Sequence, residues 1–168
     1  MKLKRSIFLL IIICTLINKK VVAQVKAADS SNLKVLVSPG ISSQREIFGE
    51  LNIMLAKEVD GGGSCGSNGF SGLRVGFESN LKKDNFIIAP KIGYEVSAYP
   101  LCLRGNIIDY LSNGKSDLRL LPEIGISFNG YINLVYGYNF PLLKNKLTEI
   151  SNSRITLTFN IGKSFLQD

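Results

Sequence analysis

From about residue 72 onward, apolar and polar side chains alternate with a period of two, the signature of strands that bury one face. The cleanest stretch is RITLTFNIG. Ile155, Leu157, Phe159 and Ile161 fall on one side; Arg154, Thr156, Thr158 and Asn160 fall on the other. YINLVYGYNF and DLRLLPEIGISF behave alike, the second setting Leu118, Leu120, Pro122, Ile124, Ile126 and Phe128 against Asp117, Arg119, Leu121, Glu123, Gly125 and Ser127. NFIIAPKIGYEV, GLRVGFES and PLCLRGNI continue the pattern upstream, and two rougher strands precede them near residues 33–39 and 47–57. The count is eight, with no convincing helical period among them. Two segments are near copies: APKIGYE at 89–95 and LPEIGIS at 121–127, each with a proline inside. Two equivalent strands of an up-and-down antiparallel array account for a repeat at this spacing. Proline donates no ladder hydrogen bond, so Pro90 and Pro122 are expected to face outward, each at a local bulge.

Connections sharpen this into a closed barrel. Strands four and five join through a short link near residues 97–99, and strands six and seven through Asn129 and Gly130, a tight-turn pair. The joins after strands three, five and seven read as longer and polar. The glycine-rich DGGGSCGSNG between strands two and three reads as a flexible connection, because no Gly-Lys-Ser/Thr follows it as in a phosphate loop.

The amino-terminal residues change the charge argument. Lys2, Lys4 and Arg5 precede the apolar run 7–17, and Val21 and Ala23 occupy the −3 and −1 positions of a cut before Gln24. That pattern is a cleaved signal peptide at 1–23, leaving 24–168 as one barrel domain. Losing Lys2, Lys4, Arg5, Lys19 and Lys20 leaves 15 of the 20 basic residues against 13 acidic, a net charge of +2 rather than +7. The mature chain therefore lacks the basic excess of a nucleic-acid footprint. Export implies an oxidising compartment, where Cys65 and Cys102 are a candidate disulfide.

A closed barrel is either a soluble, lipocalin-like cup with an apolar interior or a membrane barrel with an apolar exterior. The polar face favours the second. It carries Glu50, Glu78, Glu95 and Glu123 together with Arg74, Lys91, Arg104, Arg119 and Arg154, nearly matched in sign and set mid-strand. A confined lumen calls for such pairing, because an unpaired charge there is costly. Tyr94, Tyr99, Phe128 and Tyr131 near the short turns, and Tyr110, Tyr138 and Phe140 near the opposite ends, read as two interfacial girdles.

The run from Gly72 to Ile161 resembles the small eight-stranded outer-membrane barrels of the OmpA/OmpX-like class. The resemblance lies in strand pattern, not in any catalytic motif. It implies an all-β, eight-stranded antiparallel up-and-down transmembrane barrel, monomeric, with both termini in the periplasm. It also implies the barrel-assembly machinery and outer-membrane lipids as partners, with loops offered to a surface partner. An interior of eight strands is just filled by side chains, so a narrow channel is the lesser alternative. The sequence contains no histidine. That removes Ser–His–Asp, Cys–His and imidazole-based zinc sites, and no cofactor, metal or catalytic residue is expected.

Overall fold

The computed structural model describes residues 33–60, 68–80, 82, 85–143 and 146–162. The expected signal peptide and Cys65 lie outside the described residues. Eight strands follow one another: β1 (Lys34–Ser43), β2 (Ile47–Asp60), β3 (Asn68–Ser79), β4 (Ile88–Ala98), β5 (Leu101–Ser112), β6 (Lys115–Phe128), β7 (Ile132–Tyr138, resuming after Asn139 as Phe140–Pro141) and β8 (Ser153–Phe159). Each pairs antiparallel with its sequence neighbours, and β8 pairs with β1, which closes the sheet. The architecture is an up-and-down barrel, and no helix occurs among the described residues.

Register fixes the geometry. The circuit Lys57–Ser71–Val96–Leu103–Ile124–Tyr136–Ile155–Ser43 follows paired residues around all eight strands and returns to β2 at Ile47, ten residues from its start. Eight strands with a shear of ten tilt by about 40° and place the backbone about 8 Å from the axis. Such a lumen holds side chains and little else.

The alternation puts the apolar residues outside. Ile53, Val75, Ile92, Ile124 and Ile155 are each more than half exposed, whereas Arg74, Glu78, Glu95, Arg104, Arg119 and Arg154 are buried. The apolar interior expected of a lipocalin-like cup is thereby corrected: the strands present the opposite face inward. Two apolar layers nevertheless lie within the lumen. Toward the end where β1 begins and β8 finishes (the terminal end), Leu36, Met54, Ala56 and Phe70 pack with Tyr131. Toward the far end, Phe48, Ile87, Ala89, Ile108, Tyr110 and Leu121 pack with Leu147 and Ile150, which fold inward from the β7–β8 connection.

The prolines are accommodated without bulges. On the β4–β5 seam, pairing runs to Lys91–Ile108 and resumes at Ile88–Leu111 in the same register, leaving Ala89 and Pro90 unpaired on that side. On the β6–β7 seam, Glu123–Gly137 and Leu120–Phe140 bracket Pro122 in the same way. Pro39 opens the β1–β8 seam between Gly40–Thr158 and the bridge Val37–Ile161. A bulge needs two residues opposite one; here the count stays equal, and the missing donor opens the ladder for one step only. Pairing on each proline's other side is unbroken, as at Phe77–Pro90 and Gly105–Pro122.

Two further expectations change. The polar stretch after β5 is no long loop, because the strand runs on to Ser112 and turns through Asn113 (φ 49°) and Gly114 (φ 74°). Both residue types accept positive φ, as a two-residue hairpin requires; Asn129 and Gly130 do the same between β6 and β7. The aromatic girdles are also thinner than expected. Tyr110 is fully buried in the lumen and Tyr131 packs edge-on against Phe70, 5.2 Å between centroids. Once β5 extends past Ile107, its parity turns every even-numbered residue inward, Tyr110 included.

Candidate functional site in the barrel lumen

Between the two apolar layers lies an ion-pair network. Its members come from six strands: Glu50 from β2, Arg74 and Glu78 from β3, Lys91 and Glu95 from β4, Arg104 from β5, Glu123 from β6 and Arg154 from β8. Each occupies an inward parity position, and glycines make the room. Glu50 stands opposite Gly40, Lys91 opposite Gly76, Arg74 opposite Gly93, Glu95 opposite Gly72, and Gly137 lies between Glu123 and Arg154. A Cβ on Gly137 would lie 2.8 Å from Glu123 Cγ and 3.3 Å from Arg154 Cγ, so long charged side chains fit here only beside residues with none.

Arg154 is the hub. Its Nη1 donates to Glu78 Oε1 at 2.8 Å and to the Tyr110 hydroxyl at 3.2 Å. Its Nη2 donates to Glu78 Oε2 at 2.9 Å and to Glu50 Oε2 at 3.3 Å. Glu123 lies 3.8 Å from its Nε. Lys91 bridges Glu50 and Glu78, the latter at 3.3 Å. Nearer the terminal end, Glu95 is gripped by Arg74 and by Arg104, whose Nε is 2.7 Å away, and accepts from Asn133 and Asn160 at 3.1 and 3.0 Å. Arg74 closes the loop to Glu50 at 3.6 Å. Four acids thus meet four bases, and no carboxylate lacks a cation. Charges confined at low dielectric demand that balance.

Arg119 stands apart from this network. It pairs with Asp117, Nη2 to Oδ2 at 2.6 Å, and its guanidinium sits 5.8 Å over the Tyr110 ring. The Asp117 carboxylate also accepts the Leu147 backbone N–H at 2.8 Å, so this pair fastens the β7–β8 connection across the far end. Asp117 was not among the residues singled out by sequence. Its inward parity, two positions before Arg119, was the available signal. Glu123 is engaged by Asn106 at 2.9 Å and Thr156 at 3.3 Å, apart from the partners of Glu95. Cys102 is buried on the inward face of β5 and has no disulfide partner among the described residues.

At the rim, Glu46 in the β1–β2 turn accepts from Lys82 Nζ at 2.6 Å and Asn80 at 2.9 Å across the β3–β4 connection. The bond from Lys82 holds the Glu46 carboxyl below its ordinary value. Among the described residues no cluster of His, Cys, Asp and Glu is placed to hold a metal.

Fold and site together define a class: a closed eight-stranded antiparallel barrel, apolar outside and ion-paired inside. Set against family models, curated proteins and solved structures, the chain matches none.

Proposed function

We propose that this chain is an integral outer-membrane barrel of the OmpA/OmpX-like kind, a non-catalytic monomer with a structural or surface-interaction role. The observation that carries the reading is the inverted polarity of the wall. All eight strands turn Val, Leu, Ile, Phe or Tyr outward, and ten charged strand residues are buried in the lumen, while Lys57, Asp109 and Lys115 stand outward near strand ends. A soluble monomer rarely exposes a contiguous apolar patch beyond a few hundred Å²; here the patch runs around the whole barrel. At a tilt of about 40°, the eleven residues of β4 rise about 28 Å along the axis, enough to cross an apolar band about 25 Å tall. The signal-peptide pattern at 1–23 supports export to an outer membrane. The closed interior favours a scaffold over a channel, because an apolar layer sits on each side of the ion network.

Expression of the full chain in a Gram-negative host tests this. The expected result is a band in the outer-membrane fraction whose gel mobility changes on boiling in SDS. A soluble periplasmic band without a heat shift would refute the reading. Planar-bilayer recording is expected to show no conductance steps, and steady steps would promote the channel instead.

A further inference from the structure

We propose that the far end carries a cleft for the phosphate monoester head group of an anionic amphiphile. A cleft of about 150 Å³ opens between the β5–β6 turn and the β7–β8 connection, lined by Asn85, Ser112, Asn113, Lys115, Lys146 and Thr148, with Glu149 as its one acid. Three other far-end cations are already engaged: Arg45 donates to the Thr148 carbonyl, Lys82 pairs with Glu46, and Arg119 pairs with Asp117. Lys115 and Lys146 have no ion-pair partner among the described residues, and both line the cleft. Around them stand neutral amides and hydroxyls, the groups that complete a phosphate's hydrogen bonds once ammonium groups supply the charge.

Charge is also distributed unevenly between the ends. The described connections at the terminal end, 99–100 and 129–131, contain no charged residue. Among the described residues of the far-end connections, with Lys115 at the start of β6, four basic residues (Arg45, Lys82, Lys115 and Lys146) stand against two acidic (Glu46 and Glu149). A basic rim directly above an apolar wall matches an amphiphile whose chains lie along the wall and whose phosphate lies at the rim. This inference rests on the membrane reading above, and it specifies what that membrane must contain.

The test uses the full chain folded into phosphatidylcholine vesicles with and without phosphatidic acid, with folding checked by the heat shift. Lipid retained after detergent extraction is then weighed by native mass spectrometry. The expected result is selective retention of phosphatidic acid. Lys115→Gln and Lys146→Gln should each weaken it about five-fold and together roughly thirty-fold, while Glu149→Gln should strengthen it. A protein that folds in both vesicles but retains the two lipids equally, or whose lysine variants bind as the parent does, would overturn the cleft and leave the membrane reading standing. Inorganic phosphate binding as tightly as phosphatidic acid would overturn the head-group assignment. Failure to insert into either vesicle would overturn the membrane reading and this inference with it.

Discussion

Replacing Arg154 by methionine tests whether the lumen is held by charge balance rather than by packing alone. Methionine keeps the unbranched stem and removes the guanidinium. Glu78 then loses both of its 2.8–2.9 Å bonds and keeps Lys91 at 3.3 Å, Glu50 keeps Lys91 and Arg74, and Glu123 loses its ion-pair partner. The Tyr110 hydroxyl loses a donor. Four carboxylates face three cations, and one buried negative charge is uncompensated. Breaking a buried pair from one side costs about 3–5 kcal/mol. The second half of the cycle is Glu78→Gln, which restores balance at three against three. In the double variant more than half of the loss should return, a coupling of about 2 kcal/mol. Urea titration in detergent micelles, followed by far-UV circular dichroism and the heat-shifted gel band, reads both numbers; the chain has no tryptophan to report by fluorescence. A single variant within about 1 kcal/mol of the parent, or strictly additive effects in the double, would refute the argument.

Other outcomes follow from the same geometry. Leu157→Arg, midway along the outer wall of β8, should cost about 2–4 kcal/mol in lipid vesicles, whereas Phe128→Arg at the terminal rim should cost about 0–1 kcal/mol; equal effects at the two depths would count against an apolar surround. Gly93→Val should fail to fold or lose at least about 1–3 kcal/mol, because a Cβ there meets Asn106 Oδ1 at 2.2 Å and the Gly105 carbonyl at 2.4 Å; Gly105→Ala, which points into open space, should be close to neutral in the same titration. Because the folded Glu46 carboxyl lies below its ordinary value of 4.5, its bond with Lys82 stabilises the rim above that pH and is lost as pH falls through the folded value. The partner Lys82 is exposed and Glu46 only partly buried, so the effect is about 0.2–1 kcal/mol. Glu46→Gln should abolish that portion of the acid-side slope in midpoint-against-pH measurements, and an unchanged slope would remove Glu46 from the account.

Which residues face inward was legible from parity alone. Arg154, Thr156, Thr158 and Asn160 are buried while Ile155, Leu157 and Phe159 are exposed, as the alternation in RITLTFNIG requires. The eight strands and the charged members of the inward face were readable for the same reason: a strand's side-chain period is two, and any run long enough declares its two faces. The tight turn at Asn113 and Gly114 was legible in principle, since the same dipeptide marks the β6–β7 turn; a polar composition concealed it.

Position along the barrel axis was not legible, because alternation states a face and not a height. Register around the closed sheet sets height, and register is a property of all eight strands at once. It places Arg154 among Glu50, Glu78 and Glu123, from strands distant in sequence, and moves Arg119 away to Asp117 and the β7–β8 connection. It also gathers Leu36 and Phe70, from two other strands, with the β2 pair Met54 and Ala56 into one layer. Closure decided the prolines as well. A ladder continuous on one side and fixed in register on the other tolerates a missing donor, so Pro39, Pro90 and Pro122 needed no bulge. The sequence by itself determined two faces and eight strands; only the closed tertiary structure decided which charges meet, because ion pairing depends on distances across the lumen that no local pattern encodes.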